Sequence, residues 1–159
     1  AIVRYLANLA GFMPEDPVLA AQGDAVFEQS QELFDPLNQT VNVKTGEEHL
    51  KFKTKLLSIL PGTLKNFSRQ LELSNEGSYF FGSQPYYCDF SVYHHFSLAT
   101  ILQQDILNSF PSILDFMEAV ENLPRVKEYL ASRPRIIDVG IAPKLIIDGV
   151  AKPSGSKPS

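Results

Sequence analysis

Apolar side chains recur at helical spacing along most of the chain. In the clearest stretch, successive apolar positions are three, four or seven residues apart: Leu50, Leu57, Leu60, Leu64, Phe67 and Leu71. This spacing places them along one face of an α-helix. The pattern therefore predicts a helix over residues 50–71 with one face in a hydrophobic core.

The same reasoning predicts at least four more helices. An amphipathic stretch from about Val18 to Leu37 is followed by a predicted break over residues 38–46, and residues 90–102 are apolar over much of their circumference, as expected of a central helix. Pro111 and Pro124 each open a further amphipathic segment, at a position where proline is tolerated. We find no alternation long enough for a sheet, and predict an all-α bundle of five or more helices.

The two ends of the chain depart from this pattern. Residues 1–10 begin with apolar positions at helical spacing and no capping residue ahead, so we expect the end of a helix, while a glycine and two prolines in residues 11–17 predict a linker. We assign the helical domain to residues 18–150, although its last part is too irregular to type. Residues 151–159, rich in Pro, Ser, Lys and Gly, are predicted to be disordered.

Composition narrows the classes of function. The 159 residues suit one domain, and the net charge of −4 without a basic run argues against a nucleic-acid partner. The sequence contains no run of 18 apolar residues, so we predict no membrane span. One cysteine cannot form an internal disulfide, which favours a reducing, cytoplasmic location.

Few residues suggest a metal or a catalytic triad. His94 and His95 are adjacent, and on one helix they point about 100° apart, unlike a metal-binding pair four residues apart. Asp89 and Ser91 would lie on nearly the same helical turn, without the converging geometry of a triad. We therefore predict no metal site, and we expect Cys88 to be a buried, inert thiol.

Three sequence blocks carry a resemblance to a known family. They are GSQPYYCDFSVY at residues 82–93, SFP and LDF within residues 109–116, and VKEYLASR at residues 126–133. Together they resemble the C-terminal helical domain of cytosolic glutathione transferases, most closely the mu, pi and sigma classes. The resemblance spans about residues 1–135 and implies that residues 1–10 end the last helix of a thioredoxin-like N-terminal domain.

The resemblance also implies roles for individual residues. Asp89 matches the family's buried helix-capping aspartate, with Tyr86 at the position usually held by Ser or Thr. Glu32, with Gln31 beside it, matches an acidic residue that reaches across the dimer to the amino group of glutathione, where a carboxylate facing an ammonium makes physical sense. The alternative for Glu32 is an ordinary solvated acidic helix face.

A hydrophobic substrate pocket is the other site that the resemblance implies. Phe27, Phe34 and Leu37, with the tail over residues 136–147, are its candidate lining. The alternative is that these aromatic and aliphatic side chains belong to the core, as most residues at helical spacing do.

Two functions remain open from the sequence. In the first, the parent protein is a dimeric detoxification enzyme that conjugates glutathione, as substrate and without a metal, to hydrophobic electrophiles. The group that holds the thiolate would then lie in the thioredoxin-like domain, and residues 1–159 alone would be inactive. In the second, the chain is a non-catalytic docking module within a larger assembly, since a fold does not fix a function.

Overall fold

The computed structural model describes residues 1–74 and 77–155, and most of these residues are helical. Within these ranges the elements in chain order are α1 (Ile2–Ala10), α2 (Pro17–Gln31), α3 (Phe34–Asn42), α4 (Gly46–Leu73), α5 (Tyr87–Leu102), α6 (Pro111–Glu121), α7 (Pro124–Ser132), β1 (Arg135–Ile137), β2 (Lys144–Ile147) and β3 (Val150–Pro153). The predicted helical bundle is confirmed.

Helix α5 is the central element of the bundle. It packs against α1, α2, α3 and α6, and the side chains of Val92, Phe96 and Ala99 on it are fully buried. Helix α4 buries the face formed by Leu56, Leu60, Leu64, Phe67 and Leu71, whereas Leu50, predicted to lie on that face, is exposed. The buried aromatic rings meet edge to face around Phe67, Phe80, Phe96 and Phe116.

The predicted single helix over residues 18–37 is instead two helices, and the predicted break over residues 38–46 lies too late in the chain. Proline has no N–H to donate and its ring clashes with the carbonyl four residues earlier. Pro36 therefore prevents α2 from continuing through Glu32, yet it is tolerated in the first turn of α3. The interruption falls at Glu32 and Leu33.

The C-terminal segment forms a small sheet that the sequence analysis did not predict. Strands β1, β2 and β3 pair antiparallel in chain order. Residues 151–153 belong to β3, so the prediction of disorder is wrong for them, and residues 156–159 lie outside the described part. Asp148 and Gly149 join β2 to β3, both with positive φ, which is the geometry that favours a two-residue hairpin turn.

The sheet is attached to the turn between α3 and α4. Gly46 N–H donates to the carbonyl of Gly140 at 2.8 Å, and the Ser154 hydroxyl donates to the carbonyl of Asn42 at 2.8 Å. Gly140 has a φ of 81°, and a Cβ atom there would lie 2.6 Å from Cδ2 of the buried His49. Glycine is therefore required at this contact on two grounds.

We expect Gly140→Ala to loosen the sheet from the helical bundle. Positive φ costs a non-glycine residue about 1–3 kcal/mol, and the clash with His49 adds to this cost. Hydrogen exchange of the β1 and β2 amides should accelerate by at least about tenfold. Gly149→Ala is the matched control, because Gly149 has a similar φ of 75° but no atom within 4 Å of the added carbon. Equal exchange in the two variants would contradict the contact.

Candidate functional site

Glu32 lies at the exposed end of α2, where the helix gives way to α3. Its backbone is the C-cap of α2, and within residues 1–74 and 77–155 its carboxylate forms no ion pair and accepts no hydrogen bond. The carboxylate is thus available to a cation from outside the described chain.

Gln31, predicted to act beside Glu32, is hydrogen-bonded to the central helix. Its Nε2 atom donates to the Ser91 hydroxyl of α5 at 2.9 Å. The Ser91 hydroxyl also contacts the hydroxyl of the fully buried Ser30 at 2.7 Å. The structure therefore separates the two neighbours: Glu32 faces solvent and Gln31 belongs to the α2–α5 interface.

The three predicted pocket residues occupy different environments. Leu37 is fully buried in the hydrophobic core, so its surroundings are those of a core residue. Phe27 is partly buried, and its ring centroid lies 5.3 Å from that of Tyr87. Phe34 is 48% exposed. None of the three lines either of the two cavities described below.

Arg4 joins α1 to α2 in a charged cluster that the sequence analysis missed. Its Nε lies 2.7 Å from Asp24 Oδ1, its Nη2 lies 2.5 Å from Glu28 Oε1, and its guanidinium stands over the Phe27 ring. The Tyr87 hydroxyl also donates to Asp24. The hydrogen bonds from Tyr87 and Arg4 hold the pKa of the Asp24 carboxyl below its usual value. The partial exposure of these groups limits what the pairs contribute to stability.

Helix α1 keeps an apolar face uncovered even though Arg4 anchors its other side. The residues on this face are exposed, with Ile2 at 76% and Leu9 at 70%, and Tyr5 and Leu6 lie between them. An exposed apolar patch of this kind usually marks a surface that binds another protein surface.

Asp89 lies at the start of α5 and is fully buried. Its Oδ2 accepts the Tyr86 N–H at 2.7 Å, and its Oδ1 accepts the Phe80 N–H at 3.0 Å. One carboxylate thus fixes both the first turn of the central helix and the loop before it. Burial raises the pKa of Asp89 to about 6, against the opposing effect of these N–H donors.

Two cavities open on the bundle surface. One, of about 500 Å³, lies between α2, the end of α4 and the Phe80–Phe81 segment. The other, of about 400 Å³, lies between α5 and α6, with Tyr93 and Arg133 among its lining residues. The Tyr93 hydroxyl donates to Glu121 at 3.1 Å, and burial raises the pKa of Tyr93 to about 12. Glu32 lines neither cavity.

The remaining chemical candidates are structural side chains. Cys88 is buried, which raises the pKa of its thiol. His95 donates from Nδ1 to the Ser91 carbonyl at 2.7 Å, and burial lowers its pKa. In the described part of the chain, no group of three or more His, Cys, Asp and Glu residues is arranged to hold a metal. No helix there is long and apolar enough to cross a membrane.

Comparison with known proteins places this architecture in a family. Residues 31–133 match the family model described as "Glutathione S-transferase, C-terminal domain". The chain is 28% identical over 135 residues to the class-mu 26 kDa isozyme of Schistosoma mansoni, covering 83% of the chain and 58% of that protein. It is 31% identical over 133 residues to glutathione S-transferase Mu 4 of Mus musculus, covering 82% of the chain and 57% of that protein.

Solved structures show the same fold. The chain superposes on NaGST-2 with a TM-score of 0.73 and 25% identity, covering 84% of the chain and 66% of that protein. It superposes on the pi-class enzyme of Onchocerca volvulus with a TM-score of 0.71 and 23% identity, covering 82% and 62%.

The chain spans somewhat more than half the length of the curated relatives it matches. These relatives carry glutathione S-transferase names. The matched region holds the central helix with its capping Asp89. The chain belongs to the glutathione S-transferase family and contains its C-terminal domain.

Proposed function

We propose that the chain is the C-terminal domain of an enzyme that conjugates glutathione to hydrophobic electrophiles. Residues 1–10 would form the last helix of a preceding thioredoxin-like domain, and residues 11–17 the linker. The observation that carries this proposal is the uncovered apolar face of α1, a helix whose Arg4 pairs with Asp24 and Glu28 of α2. A domain packed on that face would remove it from water.

The chemistry of the glutathione thiol indicates which domain would hold the group that stabilises it. Conjugation needs glutathione as a thiolate, which requires a donor or cation beside the sulfur. In this chain the Tyr87 and Tyr93 hydroxyls donate to the carboxylates of Asp24 and Glu121, and the pKa of each phenol is raised. These two phenols are therefore engaged by carboxylates of the same chain. We assign the thiolate-holding role to the preceding domain, as the family resemblance implies.

We assign Glu32 to the binding of the glutathione amino group across a homodimer. An exposed carboxylate with no partner in its own described chain can accept charge-assisted hydrogen bonds from an ammonium. Phe34, exposed near Glu32, is the member of the predicted pocket set best placed to contact an electrophile. Cys88 is unbridged and buried, which agrees with a cytosolic protein.

Glutathione-agarose tests the proposed binding of glutathione. The protein to use is the longer protein, in which the proposed thioredoxin-like domain precedes residues 1–159. We expect retention and elution by free glutathione. A protein that passes through the column unretained would contradict the proposal.

Glu32→Gln tests the assigned residue. Loss of the negative charge should raise the glutathione KM by about tenfold with little change in kcat, because an interaction present equally in the ground and transition states affects binding alone. Steady-state conjugation kinetics at varied glutathione give both constants. Glu128→Gln, an exposed glutamate on α7, is the control and should leave KM unchanged. An unchanged glutathione KM in Glu32→Gln would show that Glu32 does not bind the glutathione amino group.

A further inference from the structure

The break between α2 and α3 is held to the central helix on both sides of Glu32. Before it, the Gln31 amide donates to Ser91 at 2.9 Å. After it, the Phe34 ring packs edge to face on His95, with ring centroids 6.2 Å apart. Leu33 lies between these contacts and is buried. The backbone that carries Glu32 is therefore held by one residue before the exposed carboxylate, Gln31, and by two after it, Leu33 and Phe34.

Donor and acceptor can be assigned for each hydrogen bond around the Ser91 hydroxyl. The Ser30 hydroxyl donates its only proton to the Phe27 carbonyl at 2.7 Å, so in the 2.7 Å contact between Ser30 and Ser91 the proton comes from Ser91. Ser91 must then accept from Gln31. Removing the Ser91 hydroxyl leaves the Gln31 amide with a longer contact, 3.4 Å from Nε2 to the Ser30 hydroxyl, and takes a donor from the buried Ser30.

The backbone of Ser91 is fixed by the neighbouring turn. His95 Nδ1 donates to the Ser91 carbonyl at 2.7 Å, and the same ring contacts Phe34. His95 is nearly fully buried, and in the described part of the chain its Nε2 has no hydrogen-bond partner. A neutral ring with its proton on Nδ1 satisfies this arrangement. Ser91 and His95 are thus hydrogen-bonded to each other on α5, and each contacts a residue beside the α2–α3 break, Gln31 and Phe34 respectively.

We propose that Ser91 is a positioning residue for glutathione, which fixes the end of α2 through Gln31 and Ser30 and thereby orients Glu32. Gln31 then acts on Ser91 and not on glutathione itself. This inference rests on the proposed function, because it needs Glu32 to contact the substrate.

Ser91→Ala in the longer, dimeric protein tests the inference by steady-state kinetics. We expect the glutathione KM to rise by about fivefold, the scale of one lost hydrogen bond, with kcat at saturating glutathione and the KM for the electrophile unchanged. Ser91→Thr retains the hydroxyl and should restore the glutathione KM. Ser97→Ala is the matched control, because the Ser97 hydroxyl bonds within α5, to the His94 carbonyl, and to nothing else among residues 1–74 and 77–155.

The double variant separates positioning from other effects. If Ser91 acts through Glu32, adding Ser91→Ala to Glu32→Gln should raise KM no further. An equal rise in both backgrounds, or an unchanged KM in Ser91→Ala alone, would overturn the inference while leaving the role of Glu32 intact. An unchanged KM in Glu32→Gln would overturn both. A purely structural role for Ser91 would lower the unfolding midpoint without the selective change in glutathione KM.

Discussion

Replacing Asp89 with alanine is expected to lower the free energy of unfolding by about 3 kcal/mol, because buried donors that lose their acceptor carry a large desolvation cost. The Tyr86 and Phe80 N–H groups both donate to this one carboxylate. Without it, the first turn of α5 and the preceding loop each lose an anchor. Equilibrium urea unfolding of the chain and its variant measures the difference.

Asp115→Ala provides the control for this prediction. Asp115 is exposed on α6, and its replacement should change stability by no more than about 0.5 kcal/mol. A loss in Asp89→Ala as small as that of the control would contradict the assigned role.

The stability difference between the original chain and Asp89→Ala should also depend on pH. The pKa of Asp89 is raised from 3.8 to about 6 in the folded protein, so over this range the folded chain keeps a proton that the unfolded chain has released. The stability that Asp89 contributes therefore falls as the pH rises from 3.8 to about 6, and is constant above that range. The difference between the original chain and Asp89→Ala should accordingly be larger at pH 4 than at pH 7.

Phe67→Ala is expected to lower the free energy of unfolding by about 4 kcal/mol, the scale measured when large core aromatics are truncated. Phe67 is fully buried on α4, and its ring contacts Phe80 and Phe96 with centroids 5.9 and 5.4 Å apart. The variant removes packing between α4, α5 and the loop before α5 at once. Urea unfolding again gives the difference.

Two further variants make this result decisive. Phe67→Leu keeps most of the buried volume and should cost clearly less than Phe67→Ala. Tyr129→Ala truncates a ring on α7 that is 61% exposed, and should be nearly neutral. If Phe67→Ala were no more destabilising than Tyr129→Ala, α4 would not pack as described.

The helices were predictable wherever one face or most of the circumference is apolar. Helix α4 shows the first case through Leu60, Leu64 and Phe67, and α5 shows the second, since burial on several sides needs apolar residues all round. The end of α2 was misplaced because the apolar spacing continues past it. Pro36 was the signal that should have outweighed the spacing.

The C-terminal sheet escaped prediction because its strands have only three or four residues, too few for an alternation to stand out. The Asp148–Gly149 pair between two short apolar segments was the available signal, as this dipeptide strongly favours a hairpin. The attachment of the sheet through Gly140 and Ser154 depends on long-range contacts that no local pattern encodes.

The site was predictable only in part. Asp89 could be located by its motif, because a capping role depends on nearby backbone groups. The partner of Gln31 could not, since Ser91 lies 60 residues away in sequence and nothing local decides whether the amide turns toward α5 or toward solvent. Leu37 could be identified as a core residue only once the packing of α3 was known.

Conjugation kinetics with the longer protein and with residues 1–159 alone test the central claim most directly. The assay follows the addition of glutathione to a chromogenic hydrophobic electrophile, with the uncatalysed rate subtracted. We predict turnover by the longer protein and none by the 159-residue chain, because we assign the group that holds the thiolate to the preceding domain. Turnover by the isolated chain, or none by the longer protein, would contradict the proposal.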